Sequence, residues 1–197
     1  MIRGRLEAAD SRSVAIVGTR QASEQGLRQA DELARGVAEA GVPVVSGLAA
    51  GIDTAALSGV LAAGGRAVAV IGTGLRRSYP KDNAALQEHI ASEGMLISQF
   101  LPDAPPTKSS FLMRNAVMSG FSAATVVVEA PYRSGARMQA RLALEHGRQV
   151  FLLKSLLVND WAQNYAQRPN TTVVRTVEDV LSHLKSALVA DQDLVWA

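Results

Sequence analysis

The feature that most constrains this chain is a rhythm. Short runs rich in Val and Ile alternate with longer stretches rich in Ala, Leu and charge, and glycines stand where the longer stretches should stop. The short runs, at residues 14–17, 42–46, 67–71, 95–98, 125–129, 150–153 and 172–174, have the length and β-branched content of strands. The intervening stretches, at 24–40, 53–63, 83–92, 110–122, 136–146, 160–167 and 177–189, are long enough for helical crossovers. Gly41, Gly64, Gly65, Gly94 and Gly147 fall at the ends of these helices, where a left-handed residue is commonly required. Continuous apolar strands such as ATVVVEA suit a parallel sheet buried on both faces. The expectation is a doubly wound α/β domain over residues 13–189, preceded by a lead segment (1–12) and followed by a tail (190–197).

Length and composition agree with one such domain. The 197 residues are 48% hydrophobic, enough for one substantial core. The absence of cysteine excludes disulfides, Cys-based zinc sites and thiol nucleophiles, and favours an intracellular protein. No apolar signal core opens the chain and no run approaches a membrane span, so a cytoplasmic location and no membrane partner are expected. His89, His146 and His183 lack metal-ligand spacing, and neither a metal nor a cofactor is expected. The net charge of only +2 means that any nucleic-acid site has to come from local clustering.

Ligands of open α/β sheets collect beyond the carboxyl ends of the strands, and here those loops are Gly-rich. They are Gly18-Thr19-Arg20, then SGLAAGID from Ser46 and Gly47 through Gly51 to Asp53, then Gly72-Thr73-Gly74. Free amides at helix N-termini behind such loops would suit an anion. Each loop alone is equally consistent with a tight strand-to-helix turn. Neither GxGxxG nor a Walker A sequence is present, which disfavours a dinucleotide or ATP enzyme. Asp53 reads as a helix cap, and Glu129, at a strand end, as a brace for loop amides.

Taken together the loops resemble those of the DNA-processing protein A family, also called DprA or Smf. The resemblance rests on VAIVGTR (14–20), SGLAAGID (46–53), AVIGTGLRRSYPKDN (69–83), ISQFLP (97–102), FLMRNAVMSGFS (111–122) and VVEAPYRSGARMQARLALEHGRQVF (127–151). It implies a Rossmann-like, mostly parallel sheet with helices on both faces, and a homodimer that binds single-stranded DNA. In transformable bacteria such proteins protect incoming strands and help load the recombinase RecA, placing them in recombination and competence. The residues fit that role. Arg20, Arg76, Arg77, Lys81, Lys108, Arg114 and Arg133 lie in or beside loops on one expected edge, with Tyr79, Phe100 and Phe111 among them. Cations suit phosphates and rings suit bases. Tyr79 and Phe100 are equally consistent with packing under a loop, whereas relatives use an aromatic near Phe111 to contact a base. Arg114 and Asn115 should face the crevice mouth, with Asn115 able to brace a neighbouring loop instead. Ser134-Gly135 opens a further helix at the same edge.

The fold also resembles the Lonely Guy phosphoribohydrolases, which makes a nucleotide sensor or N-glycosidic hydrolase the alternative. Gln139 stands where that family carries a carboxylate, and an amide cannot act as general acid or base. We therefore expect no catalytic residues. Several positions depart from the DNA-processing pattern: Ala50 replaces a basic residue, Gln99 an acid and Leu57 a histidine, while 158–170 replaces a Gly-rich return. The helical N-terminal and winged-helix C-terminal additions of many members have no counterpart, which leads us to expect a lone-domain paralogue.

Overall fold

The computed structural model describes the backbone of residues 1–193 and the side chains of residues 1–185. Among these residues the apolar runs form one eight-stranded sheet: β1 (Ile2–Gly4), β2 (Val14–Val17), β3 (Val44–Ser46), β4 (Ala67–Val70), β5 (Met95–Ile97), β6 (Ala124–Val127), β7 (Gln149–Leu153) and β8 (Thr171–Val174). The order is β1-β5-β4-β3-β2-β6-β7-β8, all parallel except β1, which runs antiparallel to β5. Between them lie α1 (Glu24–Glu39), α2 (Ile52–Ala62), α3 (Ala84–Glu93), α4 (Lys108–Phe121), α5 (Gly135–Glu145), α6 (Asp160–Ala166) and α7 (Val177–Asp193). Connections leave β2 in one direction along the sheet and β6 in the other, so right-handed crossovers put α1 and α2 on one face and α5 on the opposite one. α1 packs along α2, and α4 along α5. The chain is thus a Rossmann-like α/β sandwich, and its topological switch point lies between β2 and β6.

Burial explains the pattern. All four residues of β2, β4 and β6 are buried, because both sheet faces are covered. In α1 the buried Ala30, Leu33, Ala34 and Val37 fall on one stripe against the core, and the Ser23 side chain caps the helix by accepting from the Gly26 amide at 3.0 Å. Gly41, Gly64 and Gly147 take φ of +73°, +67° and +71° at helix ends, as expected. Gly65 and Gly94 lie outside that region. They are small for another reason: a side chain on Gly94 would strike the Ala67 carbonyl, and one on Gly65 the Ala38 methyl.

β1 and the 3-10 turn Ala8–Arg12 have no signature in the sequence, since β1 is fully exposed and carries no alternation. β1 is held by its pairing with β5, and the turn by Arg66, whose Nε donates to Asp10 Oδ1 at 2.6 Å and whose Nη1 reaches Glu7 Oε1 at 3.0 Å. α7 continues to Asp193, past the expected start of the tail, and 194–197 lie outside the described residues. No helix among the described residues is long and apolar enough to cross a membrane.

Candidate nucleic-acid interface

Beyond the carboxyl ends of β2 and β6 lies an open groove of about 680 Å³. One wall is α4, where Lys108, Phe111, Leu112 and Asn115 follow one another at i, i+3, i+4 and i+7 and therefore share a face. Thr107 and Ser110 fix the start of this helix with a reciprocal capping box, each side chain bonding the other's backbone amide at 3.0 Å. The opposite wall is the loop after β2, with Gly18, Thr19, Arg20 and Gln21. The end beyond β6 is closed by Pro131, Arg133, Ser134 and Gly135.

At the rim three side chains stack. The Arg20 guanidinium sits 4.9 Å from the Phe111 ring centroid, and the Tyr79 ring lies 5.4 Å from Phe111 on a tilt of 36°. Tyr79 thus joins the groove rather than packing under a loop. Phe100 does not line it, and its amide bonds to Ser98 Oγ. Arg20, Tyr79 and Phe111 also enclose a smaller recess of about 100 Å³ with Gly47, Ala49, Ala50 and Gly72.

The floor is ionic and buried. Arg114 Nη1 lies 3.8 Å from Asp53 Oδ2 and donates to the Val70 carbonyl at 3.3 Å, while Arg114 Nε is buried without a partner. Both side chains are at most 7% exposed. Burial pushes the Asp53 carboxyl above its ordinary value, against the opposing pull of Arg114 and of the amides of Ala49, Gly47 and Gly18. Burial likewise lowers the Arg114 guanidinium, with Asp53 opposing and Arg20 adding to the effect. Arg114 is therefore not a loop-edge arginine at the mouth, as its position in the sequence suggested. It is the cationic half of a buried pair that reaches the groove from below.

Asp53 also corrects an expectation. The residue before α2 is Gly51, and Asp53 caps nothing there; its carboxylate accepts instead from the amides of Gly47 at 3.1 Å and Ala49 at 3.4 Å. That bond consumes an amide expected to be free for an anion. Similarly the Thr19 amide donates to the Glu129 carbonyl at 2.7 Å, and the Gly74 amide to the Ala104 carbonyl at 3.0 Å. What glycine supplies in two of these loops is closeness. A side chain on Gly47 would overlap the Arg114 guanidinium, and one on Gly72 would meet the Phe111 ring at 2.6 Å. Leu48, between them, is held at φ +56° with its carbonyl accepting from Asn83 Nδ2 at 3.0 Å. The SYPKDN stretch thereby clamps a left-handed non-glycine residue in the second loop.

Ser46 is fully buried and ties two strands, its Oγ donating to the Ile16 carbonyl at 2.6 Å. Gly51 stands behind the groove against the backbone of Thr19 and Arg20, and Gly74 against that of Leu101 and Pro102. Arg76 points to Asp103, 3.2 Å away, and with Lys81 stays outside the groove lining. Ser134 caps α5 by accepting from the Arg137 amide at 3.1 Å. Asn115 Nδ2 donates to the Gly135 carbonyl at 3.4 Å, the bracing role considered for it. Groove residues that the sequence reading passed over include Gln21 and Leu112. The helical phase of α4, starting from Lys108 and Phe111, was the available signal for Leu112.

On the other side of the switch point a second hollow of about 380 Å³ opens against α1, lined by Ser23, Gln25, Gln29, Glu129, Ser155 and Asn159 among others. Glu129 accepts from the Ser23 amide at 3.1 Å and the Ser23 hydroxyl at 2.8 Å, bracing loop amides as expected.

Comparison with known proteins agrees with this architecture. The sequence profile described as DNA recombination-mediator protein A matches residues 1–185. The chain is 35% identical over 185 residues to DNA processing protein DprA of Streptococcus pneumoniae, covering 93% of this chain and 65% of that protein. It is 42% identical over 154 residues to Protein Smf of Synechocystis sp., covering 76% and 39%. The chain thus spans between 39% and 65% of the length of these two relatives. The X-ray structure of the S. pneumoniae protein superposes with a TM-score of 0.85 at 36% identity, over 92% of this chain and 64% of that one. DNA processing protein A from Helicobacter pylori, whose structure was described for its single-stranded DNA binding mode, gives 0.82 at 28% identity, over 94% and 86%. The molybdenum cofactor carrier protein of Chlamydomonas reinhardtii, at 20% identity and a TM-score of 0.64, shares the fold alone. With a matching profile over nearly all of its length, the chain belongs to the DNA recombination-mediator protein A family.

Proposed function

We propose that this chain binds single-stranded DNA in the groove between α4 and the loop after β2, without covalent chemistry on the strand. The observation that carries the reading is the Arg20–Phe111–Tyr79 stack on the groove rim. A flat aromatic beside an exposed arginine suits a base next to its phosphate and tolerates any sequence. Exposed Lys108 and Arg133 add cations along the same groove. The H. pylori relative, described for binding single-stranded DNA, supports the same ligand class. The non-enzymatic reading is supported by the commitment of the nearest polar groups. Gln139 is 1% exposed, and with its amide oriented to satisfy both neighbours it donates to the Asn115 carbonyl at 2.9 Å and accepts from the Ser119 amide at 3.1 Å. Glu129 is committed to Ser23.

The chain works as a homodimer in this reading, because two linked grooves hold one long strand far more tightly than one. Its protein partner is a recombinase of the RecA type, in keeping with the mediator description of the family. Fluorescence anisotropy with labelled oligothymidylates of increasing length, with free mononucleotides as competitors, tests the ligand. Affinity should rise with length and fall steeply with salt, and Phe111→Ala should weaken it by about 1–3 kcal/mol. Tight mononucleotide binding without length dependence would instead favour a nucleotide sensor. Sedimentation at micromolar concentration tests the dimer.

A further inference from the structure

Beside the end of the groove beyond β6 stands a second aromatic that the reading above does not use. Tyr132 is just outside the groove lining, between Pro131 and Arg133, which do line it, and the residue is 61% exposed. The ring is nevertheless backed on one face. The Arg137 guanidinium packs against it, 4.2 Å from the centroid, and Arg137 Nη1 donates to the Tyr132 carbonyl at 3.3 Å. Arg137 itself starts from the capped first turn of α5 and reaches 6.0 Å from the buried Tyr165 ring. Tyr165 is packed edge-on against Trp161 with centroids 5.4 Å apart, and Trp161 Nε1 donates to the Ala130 carbonyl at 3.0 Å. A ladder of side chains therefore runs from the core of α6 out to Tyr132 and back to the loop that carries it.

We propose that Tyr132 is a second base-stacking position for the strand, where it leaves the groove at the end away from Phe111. The inference rests on the strand-binding reading and extends it. Exposed tyrosines on loops ordinarily sample several rotamers, and ordering one on binding costs side-chain entropy. Here Arg137 backs one face of the ring and favours that position, so a base stacking on the other face orders the ring at lower cost. Arg137 also places a positive charge at the back of the ring, beside the next phosphate of a strand leaving the groove. The spacing suits a strand and exceeds a mononucleotide. The strands that lead into the loops of Tyr79 and Tyr132, β4 and β6, stand three positions apart in the sheet, or about 14 Å at ~4.8 Å per strand. That is about four stacked nucleotides at ~3.4 Å each.

The test separates the two ends of the groove by oligonucleotide length. For oligothymidylates of two nucleotides, Tyr132→Ala should bind like wild type; for twelve nucleotides it should bind about five- to a hundredfold more weakly, with Tyr132→Phe restoring affinity. Tyr132→Trp should show tryptophan quenching by the longer oligomer beyond any change in the wild-type protein. If Tyr132→Ala binds the twelve-mer as wild type does while Arg20→Ala is weakened, the second position is wrong and the groove stands. If neither substitution weakens binding, both the second position and the groove are wrong. Thermal unfolding of each variant is compared with wild type, and a loss that Tyr132→Phe fails to restore also overturns the proposal.

Discussion

The two hollows flanking the switch point share Thr19, Gln21 and Pro131, yet they differ in what their helices leave open. On the α1 side the helix N-terminus is served from within: Ser23 caps it, and the Glu129 carboxylate occupies the place an anion would take. On the α4 side the cations are side chains, Arg20, Lys108 and Arg133, set beside stacked rings. The difference shows that Gly-rich loops and helix N-termini do not make an anion site when the chain's own acids consume their amides. Asp53 does so for Gly47 and Ala49. In this protein the polarity of the larger groove is set by long basic side chains and by the buried Arg114 beneath them.

The comparison breaks most visibly at that buried pair. Arg114→Ala leaves Asp53 in the interior without its partner, and Asp53→Ala strands the Arg114 guanidinium. Each should cost about 3–5 kcal/mol in urea unfolding, because an unpaired buried charge is far costlier than the pair is favourable. A loss below about 1 kcal/mol from either would mean that water reaches the pair and that the floor of the groove is no more shielded than the α1 hollow. Weak strand binding by Arg114→Ala is therefore interpretable only alongside its stability.

Glu129→Gln probes the other hollow and should act on stability alone. Removing a carboxylate from the N-terminus of α1 should cost about 1 kcal/mol in the same unfolding experiment, through the lost helix-dipole and charge-assisted contacts with Ser23. Oligonucleotide affinity should stay within about twofold of wild type. A tenfold change in anisotropy titrations would show that the strand also enters the α1 hollow, and the separation between the two regions would fail.

The architecture could be read from the sequence because strands buried on both faces leave continuous apolar runs, and helices are punctuated by residues such as Gly41 and Gly147. β1 escaped because an exposed edge strand of three residues has no apolar pattern, and its register is fixed by β5, some ninety residues away in the chain. The site was legible as a set of loops but not as a division of labour. Nothing local distinguishes Arg20, which lies on the rim, from Arg114, which lies under it. That depends on Asp53 and Gly47, some sixty residues away, which leave room for a guanidinium but none for a side chain on Gly47. Arg76 and Lys81 looked equivalent to Lys108 for the same reason.

The smallest expected effects divide those exposed cations. Lys108 and Arg133 line the groove, so replacing either by Ala should lower the slope of log affinity against log salt by about 0.7, one phosphate equivalent for a single strand. Neither substitution should move the unfolding midpoint, since both side chains are exposed. Arg76 faces Asp103 across 3.2 Å and Lys81 lies on the turn before α3, both outside the groove lining. Arg76→Ala and Lys81→Ala should therefore leave the slope unchanged, and the exposed ion pair lost in the first is worth little in itself. A slope lowered equally by all four substitutions would require the strand to run past Tyr79 onto the loop after β4, enlarging the groove in that direction. A slope lowered only by Arg76→Ala and Lys81→Ala would move the strand off the α4 wall altogether.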